Sequence, residues 1–334
     1  MDLSIILVNY NTCNDTMNCI ESIYNETTNI KFEIIVVDNE STDSSKQMIL
    51  SKYNDIIWID AGYNSGFARA NNLGLRVAKG QYALLLNTDT IVLNKAIELC
   101  YSSMIKNETI VAAGIQLLNK DNTSQFSGSK FVKGGLNTLL PLPYIGDTIR
   151  SLGYSLKYKK PGIEMVEETV EVDWIVGAFV MFRRAVLEHN EYLDEDFFMY
   201  SEEMEWCFRL KKYGKLVLFN EPKIYHLGGG SSKEFYNTKD SFNGKNLWDK
   251  KGKQILLSNF VRIRKQFGLL WFMFHYIVYL IEIPVFATLL IINHLIKKNQ
   301  KYTFQNLRGY INNVMTLMPY IPKIVFNKPY FYKL

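Results

Sequence analysis

The sequence predicts an α/β fold: a mixed, mainly parallel sheet flanked by helices, followed by a separate helical C-terminal region. Three observations carry this. Short apolar runs alternate with helix-length segments through the first hundred residues, polar residues stand where those runs end, and the composition changes after residue 250.

Leu3–Val8 is a continuous apolar run of strand length, and Asn14–Tyr24 reads as a helix opened by Asn or Asp. Glu33–Val37 is a second, β-branched run, followed by turn and cap residues from Asp38 to Asp43. Ile56–Ile59 is a third strand, Ser65–Ala78 a helix, Tyr82–Leu86 a fourth strand and Leu93–Met104 a helix. This rhythm implies parallel strands with helical crossovers, and ligands of such sheets bind at the carboxyl ends of the strands. Asn119 to Glu171 is rich in Gly, Ser, Lys and Pro and reads as a long excursion over that edge. Val172–Phe182 returns as a strand pair, Glu202–Tyr213 is a helix ended by Gly214, and Lys215–Phe219 is a further strand.

Residues 1–250 form the expected catalytic domain and 251–334 a distinct region. The latter holds twelve Lys and Arg against one acid, Glu282, for a net charge of +11, which leaves −6 for the rest. Within it, Phe267–Ile296 has no Lys or Arg and is bracketed by Arg262, Arg264 and Lys265 before and Lys297, Lys298 and Lys301 after. A helix of that length would measure roughly 45 Å, more than a ~30 Å hydrocarbon core needs. Pro284 is expected to break or kink it, giving an interfacial or re-entrant hairpin. Basic residues beside apolar ones point to an anionic membrane surface rather than nucleic acid, at the cytoplasmic face. A buried core hairpin is the competing reading. The four cysteines, Cys13, Cys19, Cys100 and Cys207, form no CxxC pair, so a reduced compartment without structural zinc is expected. Met1 to Val8 runs straight into a strand pattern, and no signal peptide is expected.

The polar residues at strand ends carry the chemistry. Asn87-Thr88-Asp89 leaves a buried strand, where a carboxylate can hold Mg²⁺ or Mn²⁺, ions that take few protein carboxylates and fill their shell with phosphate and water. Asp38 ends its strand likewise and could accept from a pyrimidine N3–H. Asn64-Ser65-Gly66 opens a helix whose N-terminus would favour a diphosphate. Tyr200-Ser201-Glu202-Glu203-Met204-Glu205 sets three carboxylates at a helix start, more than dipole complementation needs. After the apolar Phe197–Met199 one of them could serve as a general base. His226 precedes a glycine run that permits close backbone approach to a ligand. Each has a plain alternative, as a turn, cap or structural histidine.

Together, Ile5–Tyr10, Val36 to Asn39, Asn64–Gly74, Leu84–Asp89, Asp173–Ala178, Phe197–Arg209 and Tyr225-His226 resemble family 2 glycosyltransferases of GT-A (Rossmann-like) fold, in particular the bacterial rhamnosyltransferase-like branch. The likeness covers about residues 1–232. It implies an inverting transfer of a sugar from a nucleotide-sugar donor to a lipid-linked or cell-surface glycan. Rhamnose from dTDP-rhamnose is the expected donor, with UDP-linked hexose or galactofuranose as the alternative. It implies that Asp38 reads the pyrimidine, with Asn9, Asn64, Gly66 and Asn87 also on the donor. Asp89 and His226 would bind Mg²⁺ or Mn²⁺. Glu203 would be the catalytic base, and Trp174, Gly177, Glu202 and Glu205 would lie on the acceptor side. The sequence departs from the family in carrying Glu at 203 where Asp is usual, which moves the carboxylate by about 1.5 Å. A sugar nucleotidyltransferase would open with a Gly-rich basic loop after the first strand, where this chain has Asn9-Tyr10-Asn11-Thr12-Cys13.

Overall fold

The apolar runs become strands. A computed structural model describes residues 1–156, 161–228, 235–236, 246–296 and 301–334. Among these, the first run is β1 (Leu3–Asn9), followed by α1 (Cys13–Glu26), β2 (Phe32–Asp38), α2 (Ser45–Lys52), β3 (Ile57–Asp60), α3 (Gly66–Val77) and β4 (Tyr82–Leu86). Next come β5 (Thr90–Val92), α4 (Ala96–Ile105), β6 (Ile110–Leu118), β7 (Gly128–Ser129), α5 (Ile145–Ser155) and β8 (Gly162–Ile163). They are followed by β9 (Val170–Val172), β10 (Trp174–Ile175), β11 (Phe179–Arg183), α6 (Glu202–Leu210) and β12 (Lys215–His226). The chain ends in α7 (Lys250–Phe267), α8 (Leu269–Leu295), α9 (Phe304–Thr316) and α10 (Ile321–Val325).

Two compact units emerge. The first comprises residues 1–130, 161–195 and 203–242. Its main sheet has the order β3-β2-β1-β4-β11-β6-β12-β5, with β9 also on β12. β1, β2, β3 and β4 run parallel, while β11 is antiparallel to β4 and β6. This is the mixed, mainly parallel sheet expected. Its core is built from strand residues such as Ile5, Val36, Leu84 and Ile115 and helix residues such as Ile20, Ile49 and Ile97. The strand Ile110–Leu118 was not anticipated. Its run of small residues lacks alternation because both faces are covered: a Cβ at Gly114 would come within 2.4 Å of Ile175 Cγ2 and 2.8 Å of Leu218 Cδ2. All four cysteines are free and buried. Burial pushes the thiols of Cys19 and Cys207 up to about 12, so both are inert at neutral pH.

The second unit comprises residues 131–160, 196–202 and 243–334. Here two expectations are corrected. Residues 131–160, read as part of an excursion, contribute the 3₁₀ segment Lys133–Leu139 and α5 to a core with Phe260, Phe272, Tyr279 and Phe286. Gly134 and Gly135 have φ of +61° and +72°, and a Cβ at Gly134 would come within 2.3 Å of the Trp271 ring, so only glycine lets the chain approach α8 this closely. The second correction concerns Pro284, which does not break its segment. α8 runs unbroken for 27 residues with Pro284 inside. The proline removes one backbone hydrogen bond, but the helix is fastened in the turns before it and, beyond it, by Asn293 Nδ2, which donates to Tyr144 Oη at 3.1 Å. Glu282 accepts from the backbone N–H groups of Tyr144 and Ile145 at 2.8 and 3.0 Å. Tyr279 donates to Thr138 O at 2.8 Å, and His275 Nε2 lies 3.2 Å from Gly135 O.

Candidate active site

Parallel register brings the polar strand ends level. Asn9 pairs with Asp38 across β1 and β2, and Leu7 with Leu86 across β1 and β4. Asn9, Asp38 and Asn87 therefore share the carboxyl edge of the sheet. Asn9 Nδ2 donates to Asp38 Oδ1 at 2.8 Å and to Ser41 Oγ at 2.9 Å, while Ser41 N donates to Asp38 Oδ2 at 2.9 Å. Thr12 and Thr16 hydroxyls donate to Asn9 Oδ1. Asn9 is thus wholly buried with its amide engaged at both ends, behind Asp38. Asp38 itself is held in one orientation by these two donors.

Asn39 ties the next turn to the same edge. Its Nδ2 lies 3.2 Å from Asn64 Oδ1, and its Oδ1 accepts from the N and Oγ of Ser65, both at 2.8 Å. Gly66, at the first position of α3, has φ +75°, a conformation a side chain would strain. At the end of β4, Asn87 N donates to Ala178 O at 3.1 Å, so the Asn87–Asp89 loop abuts the Gly177-Ala178 step. A Cβ at Gly177 would lie 3.4 Å from Phe67 Cζ and 3.9 Å from Glu203 Cβ. Phe67, Gly177 and the half-buried Glu203 are therefore neighbours. Trp174 packs on Phe126 with ring centroids 5.3 Å apart. Its buried indole N–H meets no protein acceptor among the described residues.

Glu202 is buried. Glu205 is held by its own helix: Arg209 Nε donates to both of its carboxylate oxygens, at 2.9 and 3.1 Å, and the same guanidinium pairs with Glu191.

Asp89 and His226 meet where β5 pairs with β12. Leu227 N donates to Asp89 O at 2.8 Å, and His226 Nε2 stands 3.5 Å from Asp89 Oδ1. Gln125, which sequence reasoning passed over, stands behind the histidine. Its Nε2 donates to His226 O and Asn119 Oδ1, both at 2.6 Å, which turns its Oε1 toward His226 Nδ1 at 3.0 Å. An acceptor opposite Nδ1 requires that nitrogen to carry the proton, so a neutral ring aims the Nε2 lone pair at the carboxylate. The facing atoms can be bridged by a proton, as between a charged histidine and a carboxylate, or by a divalent cation. Among the described residues no three His, Cys, Asp or Glu side chains form a cage, but this His–carboxylate pair suits Mg²⁺ or Mn²⁺ completing its shell with phosphate and water. Residues 229–234, which include most of the glycine run after His226, lie outside the described residues, as do Lys297 and Lys298.

The sequence model of Glycosyl transferase family 2 matches residues 4–190. A low-salt glycan biosynthesis hexosyltransferase, Agl10 of Haloferax volcanii, is 31% identical over 216 residues, which are 63% of this chain and 62% of that protein. The match thus spans less than two thirds of that relative's length. Rhamnosyltransferase WbbL of Escherichia coli is 27% identical over 192 residues, 55% of this chain and 67% of its own. The solved structure of GalNAc-T7 with UDP, GalNAc and Mn²⁺ aligns with a TM-score of 0.50 at 15% identity, covering 68% of this chain and 44% of that one. That last likeness concerns the fold alone.

Proposed function

Because the chain belongs to glycosyl transferase family 2, we propose that it moves a sugar with inversion from a pyrimidine nucleotide-sugar to an acceptor at the cytoplasmic membrane surface. The observation that carries this reading is the convergence on one sheet edge of an oriented carboxylate, Asp38, a His–carboxylate pair, and the neighbours Gly177 and Glu203.

Asp38 accepts from the base N3–H, and Asn9 holds it in place. The α3 N-terminus at Gly66 faces the diphosphate with its backbone N–H groups. Asp89 and His226 would hold the divalent cation, which supplies positive charge against the leaving diphosphate. Glu203 takes the proton of the acceptor hydroxyl as that oxygen attacks the anomeric carbon from the face opposite the leaving group. The new C–O bond forms as the bond to the diphosphate breaks, and a single displacement inverts the centre. Trp174 Nε1 offers a hydrogen bond to an acceptor hydroxyl. Glu205, engaged by Arg209, steadies α6 and takes no direct part.

For the sugar, the Asn64–Ala68 stretch with Asn87-Thr88-Asp89 and the similarity to a rhamnosyltransferase favour dTDP-rhamnose. The hexosyltransferase relative supports a hexose, and a UDP-hexose donor is the second reading. Calorimetry with both donors on wild type and Asp38→Ala tests the site. Loss of one charge-assisted hydrogen bond should weaken binding by about 1.5–3 kcal/mol. Unchanged affinity for every pyrimidine donor would remove Asp38 from the nucleotide.

The membrane reading rests on α8. Its buried positions Phe272, His275, Tyr279, Glu282, Phe286 and Leu290 recur every three or four residues. The opposite face exposes Leu270, Phe274, Ile277, Ile281, Ile291 and Leu295 along the whole helix, Leu270 to 85%. By length and composition α8 could cross a membrane. A helix fastened along one side by Glu282 and His275 and apolar along the other suits the interfacial plane instead. We expect the full-length triple variant Leu270→Glu, Ile277→Glu, Ile281→Glu to lose binding to anionic liposomes, and wild-type binding to weaken with salt. Equal flotation of wild type and variant would refute this face as the anchor.

A further inference from the structure

The two residues before α6, Tyr200 and Ser201, have φ of +72° and +68°. In the left-handed region Cβ crowds the following carbonyl, and neither residue is a glycine or an asparagine, which tolerate it. Such a pair persists where its surroundings hold it, and strained backbone of this kind gathers at functional sites. The residue two places on is Glu203.

The hold comes from α7. Ser258 Oγ donates to Met199 O at 2.7 Å, and Ser201 Oγ donates to Asn259 Oδ1 at 2.9 Å. Gln254 Nε2, one turn earlier, donates to Ser258 Oγ at 3.1 Å and to Tyr332 O at 2.9 Å. Gln254 and Ser258 are wholly buried among Leu257, Phe260 and Val261. A helix that only packed would carry apolar residues there, because a buried polar group without a partner is costly. These side chains have their partners in the strained segment and at the Tyr332 carbonyl near the C-terminus.

We propose that Asn259, backed by Ser258, is a positioning residue for the transfer reaction: it holds Tyr200 and Ser201 in the left-handed elbow that sets the direction in which Glu203 leaves the first turn of α6. The proposal rests on the reading of Glu203 as the base. Asn259, like Glu203, lies beyond residues 4–190, the stretch the family model matches.

The test uses the full-length protein and three variants, Asn259→Ala, Asn259→Asp and Ser201→Ala. A base displaced by a fraction of an ångström to an ångström loses on the order of 10- to 100-fold in rate. Asn259→Ala should therefore lower kcat by about that factor while donor affinity by calorimetry stays within about twofold. Asn259→Asp keeps an acceptor oxygen for Ser201 and should restore most of kcat. Ser201→Ala removes the same hydrogen bond from the other side and decides the matter should Asn259→Ala fail to fold. Wild-type kcat in the alanine variants, parallel loss of kcat and donor affinity, or no rescue by aspartate would each overturn the proposal. An active Glu203→Gln enzyme would instead overturn the base assignment. An inactive Glu203→Gln enzyme beside a fully active Asn259→Ala one removes the positioning role alone.

Discussion

Glu203→Gln is expected to lower turnover by about 10²- to 10⁴-fold, the usual contribution of general-base catalysis, while donor affinity barely changes. Glutamine matches glutamate in shape, so the packing beside Gly177 and Phe67 survives, but an amide cannot take the acceptor's proton. The neighbouring acids provide the controls. Glu205 is gripped by Arg209, itself paired with Glu191, so Glu205→Gln should cost stability more than chemistry. Glu202 is buried and should affect turnover less than Glu203. Steady-state kinetics with the donor saturating, together with donor calorimetry, separates the three. Near wild-type turnover in Glu203→Gln with a dead Glu202→Gln would move the base by one residue and leave the reaction class intact. If all three variants stay active, single displacement with a carboxylate base is the wrong mechanism.

Asp89→Ala should be nearly as damaging, on the order of 10²- to 10³-fold in kcat/KM, because charge stabilisation by a bound cation is worth several kcal/mol. Its signature should differ from that of Glu203→Gln. Binding of Mn²⁺ followed by electron paramagnetic resonance, and donor affinity in the presence of Mn²⁺, should fall together with activity. Exhaustive chelation should silence the wild type, and added Mn²⁺ or Mg²⁺ should restore it. His226→Ala should follow the same pattern. Full activity after chelation would mean that the Asn87–Asp89 loop is an ordinary turn and that the facing of His226 and Asp89 serves only packing.

What could be read in advance follows a physical rule. Tyr82–Leu86 was read with the bounds it has, and β1, β2, α1 and α3 fell within a residue or two of theirs, because burial on both faces demands unbroken apolar runs. The candidate site residues stand out in the sequence for a related reason: a polar residue closing such a run, as at Asp38 or Asn87, has no packing purpose there. What escaped depends on partners distant in sequence. Gln125 meets His226 across 101 residues, and Ser201 meets Asn259 across 58. Nothing near Gln125 or Asn259 in the sequence marks them. Pro284 failed as a breaker for the same cause: the local penalty is real, yet the contacts of Glu282, Tyr279 and His275 with residues 135–145 override it. Ile110–Leu118 was missed because small residues in a strand signal close packing only when the facing strands are known.

The burial of all four cysteines has a practical consequence for studying this chain. Burial screens all four from thiol reagents, which attack the thiolate, and in Cys19 and Cys207 it also pushes the thiol up to about 12. A single cysteine introduced on the exposed side of α8, at Leu270 or Ile281, would then be the dominant reactive thiol. A polarity-sensitive dye attached there would report whether that face enters a lipid surface. With the native cysteines buried, labelling at that face needs no prior removal of a native cysteine.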